Sequence, residues 1–199
     1  MIIKKGREIT KKDIFDAVQL DYQTYDDMYF VNIDQCYDWF DINPDIYVMA
    51  FNDDKLIGYI NFSPISRETY DLIASGNNID TFINKDSIVP YVDGKNYCFY
   101  FSSIVVKEEY QHQGVAKAML LELKELISSL AKERDIYFTK GVADAISEGG
   151  EHILSKFGFS FLLNSKHNSK IMEINLLDSG SIPVTEYNDS FLKIYKGRK

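Results

Sequence analysis

The stretch VVKEEYQHQGVA, residues 105–116, decides how this chain is read. It joins a hydrophobic strand to a long amphipathic helix through a turn that carries Gln111, Gly114 and Ala116. A Gln-x-x-Gly-x-Ala turn in that place presents backbone N–H groups where a helix begins, a concavity suited to a pyrophosphate. The first N–H groups of a helix lack intrahelical acceptors, and the helix dipole adds positive potential there. Gly114 lets the backbone approach phosphates with no Cβ in the way. Ala116 supplies the smallest alternative to a second glycine.

Working outward, residues 97–106 are rich in aromatic and β-branched side chains and form the strongest strand. After Gly114, the residues Val115, Met119, Leu123, Leu126, Ile127 and Leu130 share one helical face. A strand is expected over 136–143 and a helix over about 147–157, ended by Gly158 at a C-cap position. Upstream, Thr10 and Asp13 come close to a capping box for a helix carrying Ile14, Phe15, Val18 and Tyr22. A second helix is expected over 33–40, opened by Asn32 or Asp34. Residues 46–62 read as a hairpin, and 159–163, 171–177 and 191–195 as late strands. Residues 64–97, helical near 67–75, read as an insertion, because a simple connection is shorter.

The 199 residues suffice for one domain with a substantial core, and the alternation of elements makes it a mixed α/β (α+β) domain. No apolar run approaches the roughly 20 residues of a membrane span. Residues 1–10 lack the apolar stretch of a signal peptide. Cys36 and Cys98 are the only cysteines, so they read as buried apolar residues of a protein in the reducing cytoplasm. The net charge of −8 is uneven: residues 13–54 contain eleven Asp and no Lys or Arg, leaving the remainder at +3. That balance argues against nucleic acid, which needs a basic footprint. The acidic run fits a cationic partner or substrate, or else a solvated face.

The order of elements and the turn together resemble the GNAT superfamily of acetyl-CoA-dependent N-acyltransferases. Strand 102–106, the turn Gln111–Ala116 and the helix over 117–130 carry the resemblance, with Lys156-Phe157-Gly158-Phe159 repeating a second family feature. It spans residues 8–177 of a single domain over 1–199, with 64–97 as an insertion and 178–199 as a C-terminal extension. The fold it implies is a central mixed, mostly antiparallel sheet flanked by helices, splayed between strand 97–106 and strand 136–143.

The resemblance implies acetyl-CoA as co-substrate and no metal. By the same likeness, backbone N–H groups of Gln111, Gln113, Gly114, Val115, Ala116 and Lys117 hold the pyrophosphate, with His112 an exposed member of the turn. Ile104, Val105 and Val106 would pair with pantetheine like an extra strand, and an N–H near Val105 would stabilise the developing oxyanion. Ser147 matches a pantetheine-contacting position and equally reads as a helix cap.

Two positions depart from the family pattern. Ser102 stands where some relatives have a catalytic Glu; a serine is no base at neutral pH, though it can order a water. Leu154 stands where many have a Tyr that protonates the leaving thiolate. The catalytic base and acid therefore stay unassigned. On the acceptor side, Tyr25, Asp26, Asp27 and Tyr29 belong to the acidic, aromatic run 21–30 expected to hold a cationic primary amine of a small molecule or peptide. The alternatives are a non-catalytic acetyl-CoA-binding sensor and an interaction domain, and a homodimer is left open.

Overall fold

The eleven-residue strand β4 (Asn96–Val106) organises the sheet. In the computed structural model, which describes residues 1–77, 83–177 and Tyr195, seven strands form one sheet. The others are β1 (Ile2–Lys5), β2 (Tyr47–Asn52), β3 (Lys55–Ile65), β5 (Tyr137–Ala145), β6 (Ser160–Asn164) and β7 (Lys170–Asn175). They lie in the order β1-β2-β3-β4-β5-β7-β6. Every neighbouring pair is antiparallel except β4–β5, which runs parallel. A parallel pair needs a crossover, and helix α4 (Val115–Arg134), following the phosphate-type turn, supplies it.

Helices cover both faces. α1 (Lys11–Thr24), α2 (Ile33–Ile42) and α3 (Arg67–Ala74) pack on one side, where Ile14, Val18, Trp39, Tyr47, Tyr59 and Tyr100 share a core. α4 and α5 (Glu148–Phe157) pack on the other, around Met119, Leu123, Phe62, Phe99 and Phe138. The expected caps are in place. The Thr10 hydroxyl accepts from Asp13 N–H, and the Asp13 carboxylate accepts in return from Thr10 N–H at 2.9 Å. Asn32 caps α2, accepting from Asp34 N–H at 2.8 Å. Gly158 ends α5 in the left-handed region, φ 113°.

The splay lies where it was expected. β4 pairs with β5 from Asn96↔Tyr137 to Phe101↔Ala143 and no further, yet it stays paired with β3 as far as Val106. One edge of β4 is therefore open beyond Phe101. A β-bulge marks the same point: Asn61 faces Ser103 and Phe62 faces Phe101, so Ser102 is the extra residue. Phe101 packs against Phe157 and Phe159, with ring centroids 6.0 and 6.1 Å away. The Phe-Gly-Phe segment thus braces the point where the two strands part.

Two details differ from the sequence reading, and a third is not covered by the described residues. The short edge strand β1 was not anticipated, its four residues being too few for a periodic signal. Cys98 is only partly buried, unlike Cys36. The expected strand over 191–195 lies outside the described residues except for Tyr195. That residue is buried, and its hydroxyl accepts from Phe138 N–H at 3.2 Å.

Candidate functional site

The turn before α4 is built by its backbone. Gly114 caps the helix at φ 83°, ψ 4°, and His112 is also left-handed at φ 59°. The first intrahelical bond is Ala118 N–H to Gly114 C=O, 3.0 Å. The N–H groups of Val115 and Ala116 precede it and have no intrahelical acceptor. No atom lies within 4 Å of the place a Cβ on Gly114 would occupy, so the space before the helix end is open.

The glutamine side chains brace this turn from behind. Gln111 Nε2 donates to Val106 C=O at 3.0 Å, and Gln113 Nε2 donates to Glu109 C=O at 2.7 Å. Gln111 N–H already donates to Glu108 C=O at 3.1 Å. Its contribution is therefore to tie the turn to β4, while the free N–H groups belong to the residues after it.

A single cleft of about 620 Å³ runs from this turn, along the open edge of β4, to the face of the sheet under α1 and α2. Of the residues read as cofactor-binding, Ile104, Val105, Val106, Gln111, His112, Gly114, Val115, Ala116, Lys117 and Ser147 all line it. Gln113 does not. Ser147 is an N-cap, accepting from Gly150 N–H at 3.1 Å, and lines the cleft as well, so both readings of it are compatible. Leu154, 4% exposed, packs in the core and also lines the cleft, where its alkyl side chain has no proton to donate.

The far lobe is aromatic and acidic. Tyr25 and Tyr29 line it, but Asp26 and Asp27 are exposed and do not. The carboxylate that reaches the cleft is Asp21 of α1, which accepts a hydrogen bond from the Tyr59 hydroxyl of β3. Ser103, beside the bulge, lines the cleft near the same phenol. Burial raises the Asp21 carboxyl from 3.8 to about 7, with the Tyr59 bond opposing only part of that rise. No ion pair is made by Asp21 among the described residues. The sequence did carry a signal for it. Asp21 follows Ile14 by seven residues and Val18 by three, which puts it on the buried stripe of α1 rather than with its solvated neighbours.

Ser102 donates to the Asn61 side-chain carbonyl, so its proton is committed across the bulge. Asn61, 5% exposed, holds its Nδ2 near the Tyr47 phenol without a well-formed bond. Asp144 of β5, one residue past the last β4–β5 pair, also lines the cleft. Its carboxyl is raised by burial, against Ser169 and His167, and one of its oxygens has no partner among the described residues. The lobe thus offers polar groups short of partners in a largely apolar wall, the composition of a small-molecule or peptide-end site.

Comparison with known proteins agrees with this geometry. No curated protein matches the sequence. Among solved structures, the chain resembles the loading GNATL domain of CurA from Lyngbya majuscula at 14% identity, TM-score 0.60, covering 87% of this chain and 96% of that one. It resembles the PaiA N-acetyltransferase from Thermoplasma acidophilum in complex with coenzyme A at 16% identity, TM-score 0.51, covering 88% and 99%. It also resembles Arabidopsis thaliana NAA60 in complex with a bisubstrate analogue at 12% identity, TM-score 0.53, covering 87% and 97%. At such identities the likeness speaks for the fold. The model of the Acetyltransferase (GNAT) family, however, matches residues 12–159, most of the chain and all of the cleft's framework. The chain belongs to the GNAT acetyltransferase family.

Proposed function

We propose that the protein is an N-acetyltransferase that moves an acetyl group from acetyl-CoA to a cationic primary amine by direct attack. The observation that carries this reading is the single cleft: a phosphate-type turn at one end, an open strand edge in the middle, an acidic aromatic lobe at the other. The free N–H groups at the start of α4 suit the pyrophosphate. The open edge of Ile104–Val106 suits pantetheine, whose amides pair as a strand would, with an N–H near Val105 set for the thioester oxygen. That one structural neighbour is a complex with coenzyme A and another a complex with a bisubstrate analogue supports coenzyme A as the ligand class.

Holding amine and thioester together supplies much of the rate. An alkyl amine with a pKa near that of lysine, about 10.4, arrives protonated at neutral pH. The aromatic wall and the carboxyl of the far lobe favour that charged form at the entrance. Ser102 positions Asn61 rather than acting as a base.

The test is calorimetry with acetyl-CoA, followed by thiol release with spermidine, Nα-acetyl-lysine amide and short peptides bearing free N-termini. Micromolar binding and transfer to at least one amine are expected. Failure to bind acetyl-CoA would end the proposal, whereas binding without transfer to any amine would leave an acetyl-CoA-binding module.

A further inference from the structure

We propose that the Asp21 carboxylate, braced by the Tyr59 hydroxyl, is the group that takes the proton from the acceptor ammonium. The inference rests on the acetyl-transfer reading above and adds the owner of its missing proton step.

The geometry leads to Asp21 in three steps. First, the bulge at Ser102 turns Ser103 and Val105 toward the face that α1 covers, where they sit opposite Asn61 and Tyr59. Second, the Ser103 hydroxyl lies near the Tyr59 phenol, and the phenol donates to Asp21. The Ser103 and Tyr59 hydroxyls therefore line the cleft between the open edge of β4, where the thioester would lie, and a carboxyl in the acceptor lobe. Third, the position from which some relatives present a carboxylate on this strand holds Ser102, whose proton is already committed to Asn61. A carboxylate entering from α1 supplies what the strand lacks.

The surroundings make Asp21 a proton acceptor and not a structural ion. The titratable groups packed around it are Cys36 from α2, Tyr47 from β2, Tyr59 from β3 and Tyr25 at the end of α1. None is a cation. Burial raises the Cys36 thiol to about 12 and the Tyr47 and Tyr59 phenols well above 10, so all stay neutral near pH 7. A carboxyl in this setting, raised to about 7, is a far better match to an amine's proton than a solvated one. An arriving ammonium would be the missing counter-charge until it gives up its proton. Asp144, the other half-buried carboxyl of the cleft, has the His167 ring nearby and no hydrogen bond to Tyr59 among the described residues.

The step balances as follows. The ammonium R–NH3⁺ gives one proton to Asp21, and its freed lone pair attacks the thioester carbonyl carbon. The C–N bond forms and the C–S bond breaks. A second nitrogen proton goes, through solvent, to the departing sulfur, leaving the amide and the CoA thiol. Asp21 then releases its proton to water.

The experiment compares wild type, Asp21→Asn, Asp21→Glu and Asp144→Asn with the best amine of the panel named above. Wild-type kcat/KM is expected to rise with pH through about 7 as the carboxylate form appears. D21N should lose about 100-fold or more in kcat, the usual range for a removed general base. It should also lose the rise near pH 7 while binding acetyl-CoA as tightly as wild type. D21E should restore that rise in part, and D144N should keep it. In parallel, carbon NMR of labelled aspartate in the CoA complex should show one carboxyl, absent from D21N, titrating near pH 7. D21N within threefold of wild type with the same pH profile, transfer of the pH effect to D144N, or an Asp21 carboxyl titrating near 4 would each overturn the inference. Absent acetyl-CoA binding in wild type would instead strike the acetyl-transfer reading itself.

Discussion

Replacing Asp21 by Asn should stabilise the protein at alkaline pH, by an amount that follows from the carboxyl's surroundings. Burial lifts it from 3.8 to about 7 with no ion pair among the described residues to offset the cost. The folded-state value lies above the unfolded one, so the fold binds the proton more tightly. Stability is then fully present at low pH, is lost as pH climbs from about 4 to about 7, and changes no further above that. At about 1.4 kcal/mol per pH unit the whole loss is about 4 kcal/mol, of which about 2–3 falls between pH 5 and pH 8. Asn has the same shape and can still accept from Tyr59, but it carries no charge to bury. Urea melts of wild type and D21N at pH 5 and pH 8 isolate the effect, because Asp45 and Asp144, also raised by burial, cancel in the difference. The advantage of D21N over wild type should grow by about 2–3 kcal/mol between the two pH values. For a chain of this size that is about 5–10 °C in Tm. An equal difference at pH 5 and pH 8 would refute the reasoning and return Asp21 to the solvated carboxylates of the acidic run.

Two glycines give contrasting predictions. Gly114→Ala meets open space but holds φ 83°, so it should cost about 1–2 kcal/mol in stability. By placing a methyl group where phosphates would lie, it should also weaken acetyl-CoA binding about tenfold or more by calorimetry; unchanged affinity would place the pyrophosphate elsewhere. Gly141→Ala should cost stability alone, because its Cβ would fall 2.1 Å from the Phe99 ring in the middle of the aromatic core. Overpacking of that kind costs about 1–3 kcal/mol in urea melts, with acetyl-CoA affinity of the folded protein intact. If the Gly141→Ala loss survives unreduced in a Phe99→Leu background, the clash is not its cause.

The donor half of the cleft was legible because its parts are local. Gln111, Gly114, Ala116 and the helix after them are contiguous, and a helix end with a close backbone approach needs those residue types wherever it occurs. The splay was legible only through the resemblance. What fixes it physically is the meeting of Phe101 with Phe157 and Phe159, residues more than fifty positions apart, together with a bulge that nothing in Phe-Ser-Ser-Ile announces. The acceptor half was harder still. Charge density drew attention to Asp26 and Asp27, which sit past the end of α1 in solvent, where neighbouring carboxylates are common and cheap. Much of the run does ordinary surface work: Asp16 pairs with Lys12 and Asp41 with Lys11. The informative position was the one acid in register with Ile14 and Val18.

That register is why the cost at Asp21 bears on function. A fold under selection for stability alone would fill position 21 with Leu or Asn, since a carboxyl with one phenol and no cation is a net loss above pH 7. Structural burial of an acid normally comes with compensation, as Asp13 illustrates: it receives Thr10 N–H, the Thr10 hydroxyl and the Lys4 ammonium at 3.5 Å. Among the described residues Asp21 has only Tyr59, which lies near Ser103 at the strand where the acyl group would sit. Asp13 therefore holds the helix start together, whereas Asp21 lacks a charge that only a ligand can bring. The same deficit accounts for both predicted effects, a pH-dependent stability loss in the empty protein and a proton acceptor in the loaded one. They stand or fall on one number, the pH at which Asp21 ionises.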